Sequence, residues 1–240
     1  MDLGAGPVTE HPTTLAGLRV VPGYLGREAQ EALLAAVRKV IVRAPLYTPR
    51  MPRSGKPMSV RMTNCGPLGW MTDEGGYRYQ PAHPATGVPW PPIPDILLRA
   101  WSELSDYSLL PQACLVNVYD SDARMGLHQD RDEEDFDAPV VSLSLGDACL
   151  FRIGGTVRQG PTRSFRLASG DALVLGGAAR LSRRRPHHPA DLDPHRGGRP
   201  DQPDAAPGDR GGVRGGGAAT DAQAGAFTVI STVRRTSAPS

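Results

Sequence analysis

The stretch LHQDRDEEDFDAPVVSLSLG, residues 127–146, places one histidine among six acidic residues and then becomes apolar. In an extended segment, residues two apart point to the same side, so His128 and Asp130 can converge on one ion. An imidazole and a carboxylate belong to the facial triad of non-haem Fe(II) oxygenases. The pair indicates a redox-metal site at the entry to a strand, and the competing interpretation is an acidic surface loop.

Short strand-like runs dominate the chain around this stretch. They are ACLVNVY (113–119), PVVSLSLG (139–146), ACLFRIG (148–154), SFRLA (164–168) and DALVLGG (171–177). Apolar residues at helical spacing predict a helix over residues 28–43 and a second over 94–105. Residues 45–92 hold short extended pieces between Gly and Pro. The pattern predicts a mainly β fold with flanking helices, of the sandwich or jelly-roll class.

Chain length, apolar runs and cysteine content limit the classes of protein to which this chain can belong. A chain of 240 residues is one domain, or one domain with extensions. No apolar run is long enough to span a bilayer, and the N-terminus lacks the basic and apolar regions of a signal peptide. Cys65, Cys114 and Cys149 are an odd, widely spaced set, which fits reduced thiols. We therefore expect a cytoplasmic protein that makes no membrane contact.

The positive net charge belongs to the end of the chain. Residues 1–181 carry 18 Lys/Arg and 19 Asp/Glu, whereas residues 182–240 carry 9 and 6. The basic balance is therefore no argument that the folded part binds nucleic acid. Between residues 182 and 225 the only large apolar side chains are Leu192 and Val213. Such a segment cannot bury enough surface to offset its ordering entropy, so we expect the tail to be largely without structure.

Six blocks along the chain resemble AlkB-type dioxygenases, in the family's order and over about residues 17–181. The blocks are MSVRMTNCGPLGW (58–70), GGYRYQP (75–81), PWPPIP (89–94), PQACLVNVY (111–119), NVYDSDARMGLHQDRDE (117–133) and APVVSLSLG (138–146). The resemblance implies a double-stranded β-helix, or jelly roll, with an N-terminal α/β nucleotide-recognition lid. It also implies oxidative demethylation of N-alkylated bases such as 1-methyladenine and 3-methylcytosine, in direct DNA repair. The implied cofactor is Fe(II), with 2-oxoglutarate and O2 as co-substrates.

The resemblance assigns site residues by position in these blocks. His128 and Asp130 match two iron ligands, and Asn117 and Tyr119 match the residues that hydrogen-bond 2-oxoglutarate. The resemblance also implies substrate residues. Trp70 would pack on the flipped base, Tyr77 would contact the nucleic-acid backbone, and Asp132 would contact an exocyclic amine. Arg158 would lie at the substrate site, and Met62 and Leu115 would form the apolar pocket wall. The alternative for each of these side chains is ordinary packing, or a solvated face for the acids.

The resemblance stops after GGAARL (176–181). The family pattern continues with the third iron-ligand histidine and then R-x-N-x-T-x-R, whose arginines grip 2-oxoglutarate. This chain has LSRRRPHHPADLD (181–193) instead. His187 and His188 remain as candidates for the third ligand, although nothing in a Pro-flanked His pair pre-positions an imidazole.

We hypothesise that this departure reflects a change of reading frame near codon 181. Read from the second base of each codon, Leu181–Arg183 can encode Phe-His, and Arg199–Gly208 can encode a stretch that contains R-I-N-L-T-L-R-R-V. Lys39 and Lys56 are the only lysines among 27 basic residues, which indicates a GC-rich gene. We therefore expect a flexible N-terminus (1–16), an AlkB-like domain lacking its C-terminal strands (17–181) and an out-of-frame tail (182–240). The competing interpretation is a genuine, divergent tail.

These expectations carry functional alternatives. The literal chain is expected to bind iron and 2-oxoglutarate weakly and to have little activity. The expected partner is alkylated single- or double-stranded DNA, or RNA, acted on by a monomer. The alternatives are a non-catalytic remnant or nucleic-acid-binding module, and a related oxygenase that acts on protein or lipid.

Overall fold

The structure is a computed structural model that describes residues 16–120, 123, 126, 128–129, 135–156, 162–187 and 226–233. Its strands are β1 (Leu18–Val21), β2 (Val60–Cys65), β3 (Gly69–Asp73), β4 (Gly76–Gln80), β5 (Ala113–Asp120), β6 (Val140–Gly146), β7 (Cys149–Gly154), β8 (Thr162–Leu167), β9 (Ala172–Leu175), β10 (Arg184–His187) and β11 (Ala226–Val233). Its helices are α1 (Arg27–Arg43), α2 (Asp95–Leu104) and α3 (Gly177–Arg180). Within these residues no helix is long and apolar enough to cross a membrane.

The two long helices follow from their apolar periodicity. Helix α1 buries Leu33, Val37 and Val40, which lie four and three residues apart along one face. Helix α2 begins after Pro94, whose fixed φ suits a helix start, and it buries Leu97, Ala100, Trp101 and Leu104. Both buried faces belong to one apolar core. The two helices predicted from the sequence are therefore confirmed to within a residue or two.

Two sheets form the body of the protein. The larger sheet has the strand order β1-β9-β6-β11-β5-β2, and the smaller has the order β10-β7-β8. Alternate residues of β6 serve two cores, because Val141 packs toward the helices while Val140 packs in a second core with Phe151 and Phe165 of the smaller sheet. The prediction of a mainly β jelly roll with flanking helices is confirmed, and this layering turns one face of β5 toward the hairpin of β3 and β4.

The tail differs from the expectation in two places. Strand β10 pairs antiparallel with β7, and β11 lies between β5 and β6, parallel to both. The composition argument concerned residues 182–225, whereas β11 has the sequence AFTVISTV, which is rich in β-branched residues. Unpaired strand edges attract such a segment, and β11 pairs with β5 and β6 where the domain was expected to lack its C-terminal strands. The rest of the tail, like residues 1–15, lies outside the described residues, and the domain boundaries stay predictions.

The cysteines behave as expected from their number and spacing. All three are free and buried. Cys65 and Cys114 lie directly opposite each other on β2 and β5, and their mutual hydrogen bond together with burial raises the pKa of the Cys114 thiol. The Cys114 thiol is therefore a protonated core group.

Candidate active site

Strand β5 divides its side chains between the core and a second face. Cys114, Val116 and Val118 pack in the core with the helices. Leu115, Asn117 and Tyr119 alternate with them and therefore point the other way.

Strand β2 extends this second face, because Met62 is paired with Asn117 and Val60 with Tyr119. An apolar cluster on it contains Val60, Met62, Tyr119 and Ala123, with Tyr47, Met58, Trp70 and Leu115 packed against it. The structure thus brings together five residues that the sequence singled out, namely Met62, Trp70, Leu115, Asn117 and Tyr119.

Asn117 carries the clearest sign of a missing ligand on this face. Its side chain is only 4% exposed, and among the residues that the structure describes its Oδ1 atom has no hydrogen-bond partner. An unsatisfied buried polar group costs about 1–3 kcal/mol, so such groups are uncommon away from binding sites. An amide can offer either its oxygen or its NH2 group, so Asn117 fits a polar co-substrate such as a dicarboxylate.

His128 is held in an orientation suited to metal binding. Its backbone N–H donates to the carbonyl of Arg184 at 3.1 Å, and the Arg184 N–H donates back at 2.9 Å. The Nδ1 atom lies 3.0 Å from the carbonyl oxygen of Gly126. Because a carbonyl only accepts, Nδ1 carries the proton, and Nε2 is the nitrogen that can bind a metal ion. The geometry at His128 therefore fits the iron-ligand role.

Residues 181–184, where the family pattern would place the third ligand, lie against the His128 segment and contain no histidine. The side chain of Gln129 donates to the carbonyl of Leu181, and Ser182 is buried with 3% exposure. The backbone of His187 is three residues along β10 from Arg184, which is roughly 10 Å in a strand, so the pairing does not bring it to His128.

Part of the implied metal and substrate set cannot be placed. Asp130, Asp132, Arg158 and His188 lie outside the described residues. In the described part of the chain, no cluster of three or more His, Cys, Asp or Glu side chains could hold a metal ion. Among the described residues, the side chains on this face fit 2-oxoglutarate and His128 fits one iron ligand, while the third ligand stays a prediction.

Two aromatic side chains stack on the hairpin formed by β3 and β4. The ring centroids of Trp70 and Tyr77 are 5.7 Å apart with an interplanar angle of 25°, and Tyr77 is 48% exposed. Arg78 braces the hairpin by contacting Asp73 at 2.7 Å, and its guanidinium lowers the pKa of the Asp73 carboxyl to about 2. This arrangement offers a partly exposed aromatic surface beside the β5 face.

Beside the hairpin lies a set of buried and partly buried side chains for which sequence analysis predicted no role. Tyr47, His83 and Trp90 form an aromatic cluster with ring centroids between 5.2 and 6.4 Å apart. His83 donates from Nε2 to the Pro45 carbonyl at 2.8 Å, and its Nδ1 accepts from two backbone N–H groups. The PWPPIP block contained Trp90, but only the folded chain reveals its partners.

Comparisons with known proteins agree with this geometry. The sequence profile of the 2OG-Fe(II) oxygenase superfamily matches residues 17–190. An alpha-ketoglutarate-dependent dioxygenase AlkB homolog of Caulobacter vibrioides (strain NA1000 / CB15N) is 54% identical over 170 residues, which cover 71% of this chain and 77% of that protein. The alpha-ketoglutarate-dependent dioxygenase AlkB of Escherichia coli (strain K12) is 41% identical over 171 residues, covering 70% and 79%.

A solved structure shares both the fold and part of the sequence. The structure of OsALKBH1 superposes with a TM-score of 0.60 at 28% identity, covering 72% of this chain and 85% of that chain. Profile, sequence relatives and structure point to one family, whose enzymes use Fe(II) and 2-oxoglutarate. The chain therefore belongs to the 2OG-Fe(II) oxygenase superfamily, and within it to the AlkB family of dioxygenases.

Proposed function

We propose that this protein oxidatively demethylates N-alkylated bases in nucleic acid, with 1-methyladenine and 3-methylcytosine as the substrate type. The observation that carries the proposal is the juxtaposition of the buried Asn117, whose Oδ1 has no partner among the described residues, with the stacked pair Trp70 and Tyr77. The AlkB names of the similar proteins support it. When bound, Fe(II) and 2-oxoglutarate supply the O2-dependent oxidation of an N-methyl group, which leaves as formaldehyde.

The second face of β5 is proposed to bind 2-oxoglutarate. Asn117 and Tyr119 would hydrogen-bond its polar groups, and Leu115 and Met62 would form the apolar wall. Asn117 supports this role when its amide is turned, because the NH2 group then takes the place of the Oδ1 atom that lacks a partner among the described side chains and donates to a carboxylate. His128, with its Nδ1 proton held by Gly126, is proposed to bind iron through Nε2. Asp130 is proposed as the second iron ligand from the sequence resemblance.

The β3–β4 hairpin is proposed to bind the damaged base. Base–aromatic stacking is worth about 1–3 kcal/mol, and Trp70 already has a ring-stacked geometry with Tyr77. Asp132 is proposed to contact the exocyclic amine, and its negative charge suits the positive charge of such methylated bases. Arg158 is proposed as a further substrate contact. This aromatic surface suits a nucleic-acid base better than a protein or lipid substrate.

The out-of-frame tail is also a proposal. Ser182 occupies the place where the second-base frame would encode histidine, and it belongs to the segment that pairs with His128. A histidine at this position would complete the ligand set that the family implies. That the protein acts as a cytoplasmic monomer likewise stays a prediction.

One experiment tests both proposals. The literal 240-residue chain is compared with a chain that continues from residue 181 in the second-base frame, with a 3-methylcytosine oligonucleotide as substrate. We expect formaldehyde and succinate from the restored chain, and at least about 100-fold less from the literal one, because a ligand and both cofactor arginines are missing. Equal turnover would refute the frameshift, whereas a folded restored chain without turnover would refute the function. Oligonucleotide binding that survives chelation, without succinate from either chain, would favour a non-catalytic binding module.

A further inference from the structure

The backbone of Trp70 is held by the side chain of Asn64. Asn64 is fully buried on β2, and its Oδ1 accepts a hydrogen bond from the Trp70 N–H at 3.1 Å. Its Nδ2 donates to the Trp70 carbonyl at 3.0 Å. The Asn64 amide thereby pairs with both the N–H and the C=O of Trp70, as the backbone of a neighbouring strand would.

A second side chain reinforces this contact. The hydroxyl of Tyr47 donates to the Trp70 carbonyl at 3.2 Å, so that oxygen accepts two hydrogen bonds. Burial raises the pKa of Tyr47 to about 12, which keeps the hydroxyl protonated at neutral pH. Three hydrogen bonds from two side chains thus end on a single residue of the hairpin.

The close approach of the hairpin to Asn64 depends on the residue before Trp70. A Cβ at Gly69 would lie 2.5 Å from the Trp90 indole and 2.7 Å from the Asn64 Cβ. Real Cβ atoms do not approach so closely, so any larger residue would push the hairpin away from Asn64. The chain therefore combines a glycine with a matched amide at the base of the aromatic hairpin.

We infer that Asn64 is a positioning residue that fixes the Trp70 indole in the orientation needed to stack on an extruded base. The inference rests on the proposed function for the identity of the ligand, but the orientation of Trp70 can be measured without any ligand. Asn64 acts through Trp70, because both of its hydrogen bonds to the hairpin end on the Trp70 backbone.

The neighbouring residue supplies a matched control. Thr63 is equally buried and donates from its hydroxyl to the Ala44 carbonyl at 2.8 Å, away from the hairpin. The variants Asn64→Leu and Thr63→Val each remove buried side chain–backbone hydrogen bonds from β2, but only the first releases Trp70. A purely structural role would make both variants behave alike at the hairpin.

The readout is the 19F NMR spectrum of the full chain labelled with 5-fluorotryptophan, which has three resonances because the chain has three tryptophans. We expect Asn64→Leu to shift or broaden the Trp70 resonance while that of Trp101 stays in place; the Trp90 indole lies beside Gly69 and Asn64, so its resonance does not serve as a control. Thr63→Val should leave all three unchanged. Tyr47→Phe removes only one hydroxyl and should shift the Trp70 resonance less, so the inference stays testable if Asn64→Leu fails to fold.

Binding of a 3-methylcytosine oligonucleotide to the iron-free protein gives the second readout. We expect Asn64→Leu to weaken binding about tenfold and Thr63→Val to change it less than about twofold. An unmoved Trp70 resonance in folded Asn64→Leu and Tyr47→Phe proteins would overturn the inference, as would equal binding by Asn64→Leu and wild type. If the Trp70 resonance moves but the wild type binds no oligonucleotide, the positioning role holds and the proposed substrate is wrong.

Discussion

Replacing Asn117 with leucine should make the ligand-free protein more stable. Leucine has the same branched heavy-atom skeleton as asparagine and removes a buried acceptor that lacks a partner among the described residues. Relief of an unsatisfied buried group is worth about 1–3 kcal/mol. For a domain of this size each kcal/mol shifts the melting temperature by about 2–4 °C, so we expect Asn117→Leu to raise it by about 2–12 °C.

The structure offers a matched control in Asn64, a second buried asparagine on the adjacent strand. Both polar atoms of Asn64 are hydrogen-bonded to Trp70, so Asn64→Leu removes one hydrogen bond from the Trp70 backbone N–H and one of the two that its carbonyl accepts. We expect the free energy of unfolding of the Asn64→Leu variant to fall by about 2–5 kcal/mol. The assay is thermal unfolding of chelated protein, followed by far-UV circular dichroism.

The two substitutions should therefore have opposite signs. If Asn117→Leu lowers the melting temperature as much as Asn64→Leu does, Asn117 is an ordinary satisfied core residue. The argument for a co-substrate pocket on β5 would then fail. The opposite signs would instead identify Asn117 as a residue kept at the expense of stability, which is typical of binding sites.

Three further outcomes test the fold and the hairpin. The pKa of Asp73 is lowered to about 2, so the ionised carboxylate stabilises the fold above the unfolded-state pKa near 4, and this stabilisation is lost as the pH falls through about 2. Asp73→Asn should remove this pH dependence of the free energy of unfolding. The effect should be small, because the ion pair with Arg78 is partly exposed. Phe165→Ala should cost about 3–5 kcal/mol in chemical denaturation, because the ring is buried between the sheets. Val229→Pro should cost about 3 kcal/mol or more, because β11 pairs on both sides, and an unchanged midpoint would contradict that pairing.

Local periodicity was sufficient to predict much of the fold. Helices α1 and α2 and strands β5 to β9 follow from the spacing of apolar residues, because packing one face selects that spacing. The same period of two places Leu115, Asn117 and Tyr119 on one face of β5, as the structure has them. The hairpin of β3 and β4 was missed, although Glu74 and Gly75 mark its turn, because Gly and Pro around it indicated only irregular structure.

Long-range contacts were not predictable from pattern. Strand β11 pairs with β5 more than a hundred residues away in the sequence, and nothing local specifies its parallel direction. The hydrogen bonds from Asn64 to Trp70 likewise depend on a chain reversal at Gly66 and Pro67. The role of Asn64 was invisible because a buried asparagine in a strand has the same sequence signature whether or not it positions another residue.

The stoichiometry of the reaction is the decisive measurement. The frame-restored chain is mixed with Fe(II), 2-oxoglutarate and an oligonucleotide that carries one 3-methylcytosine, and formaldehyde, succinate and repaired base are counted together. We expect one formaldehyde and one succinate for each repaired base, and none of the three with His128→Ala. Succinate formation that the methylated oligonucleotide does not increase, with no formaldehyde from a well-folded protein, would contradict the proposal that this family member acts on alkylated bases.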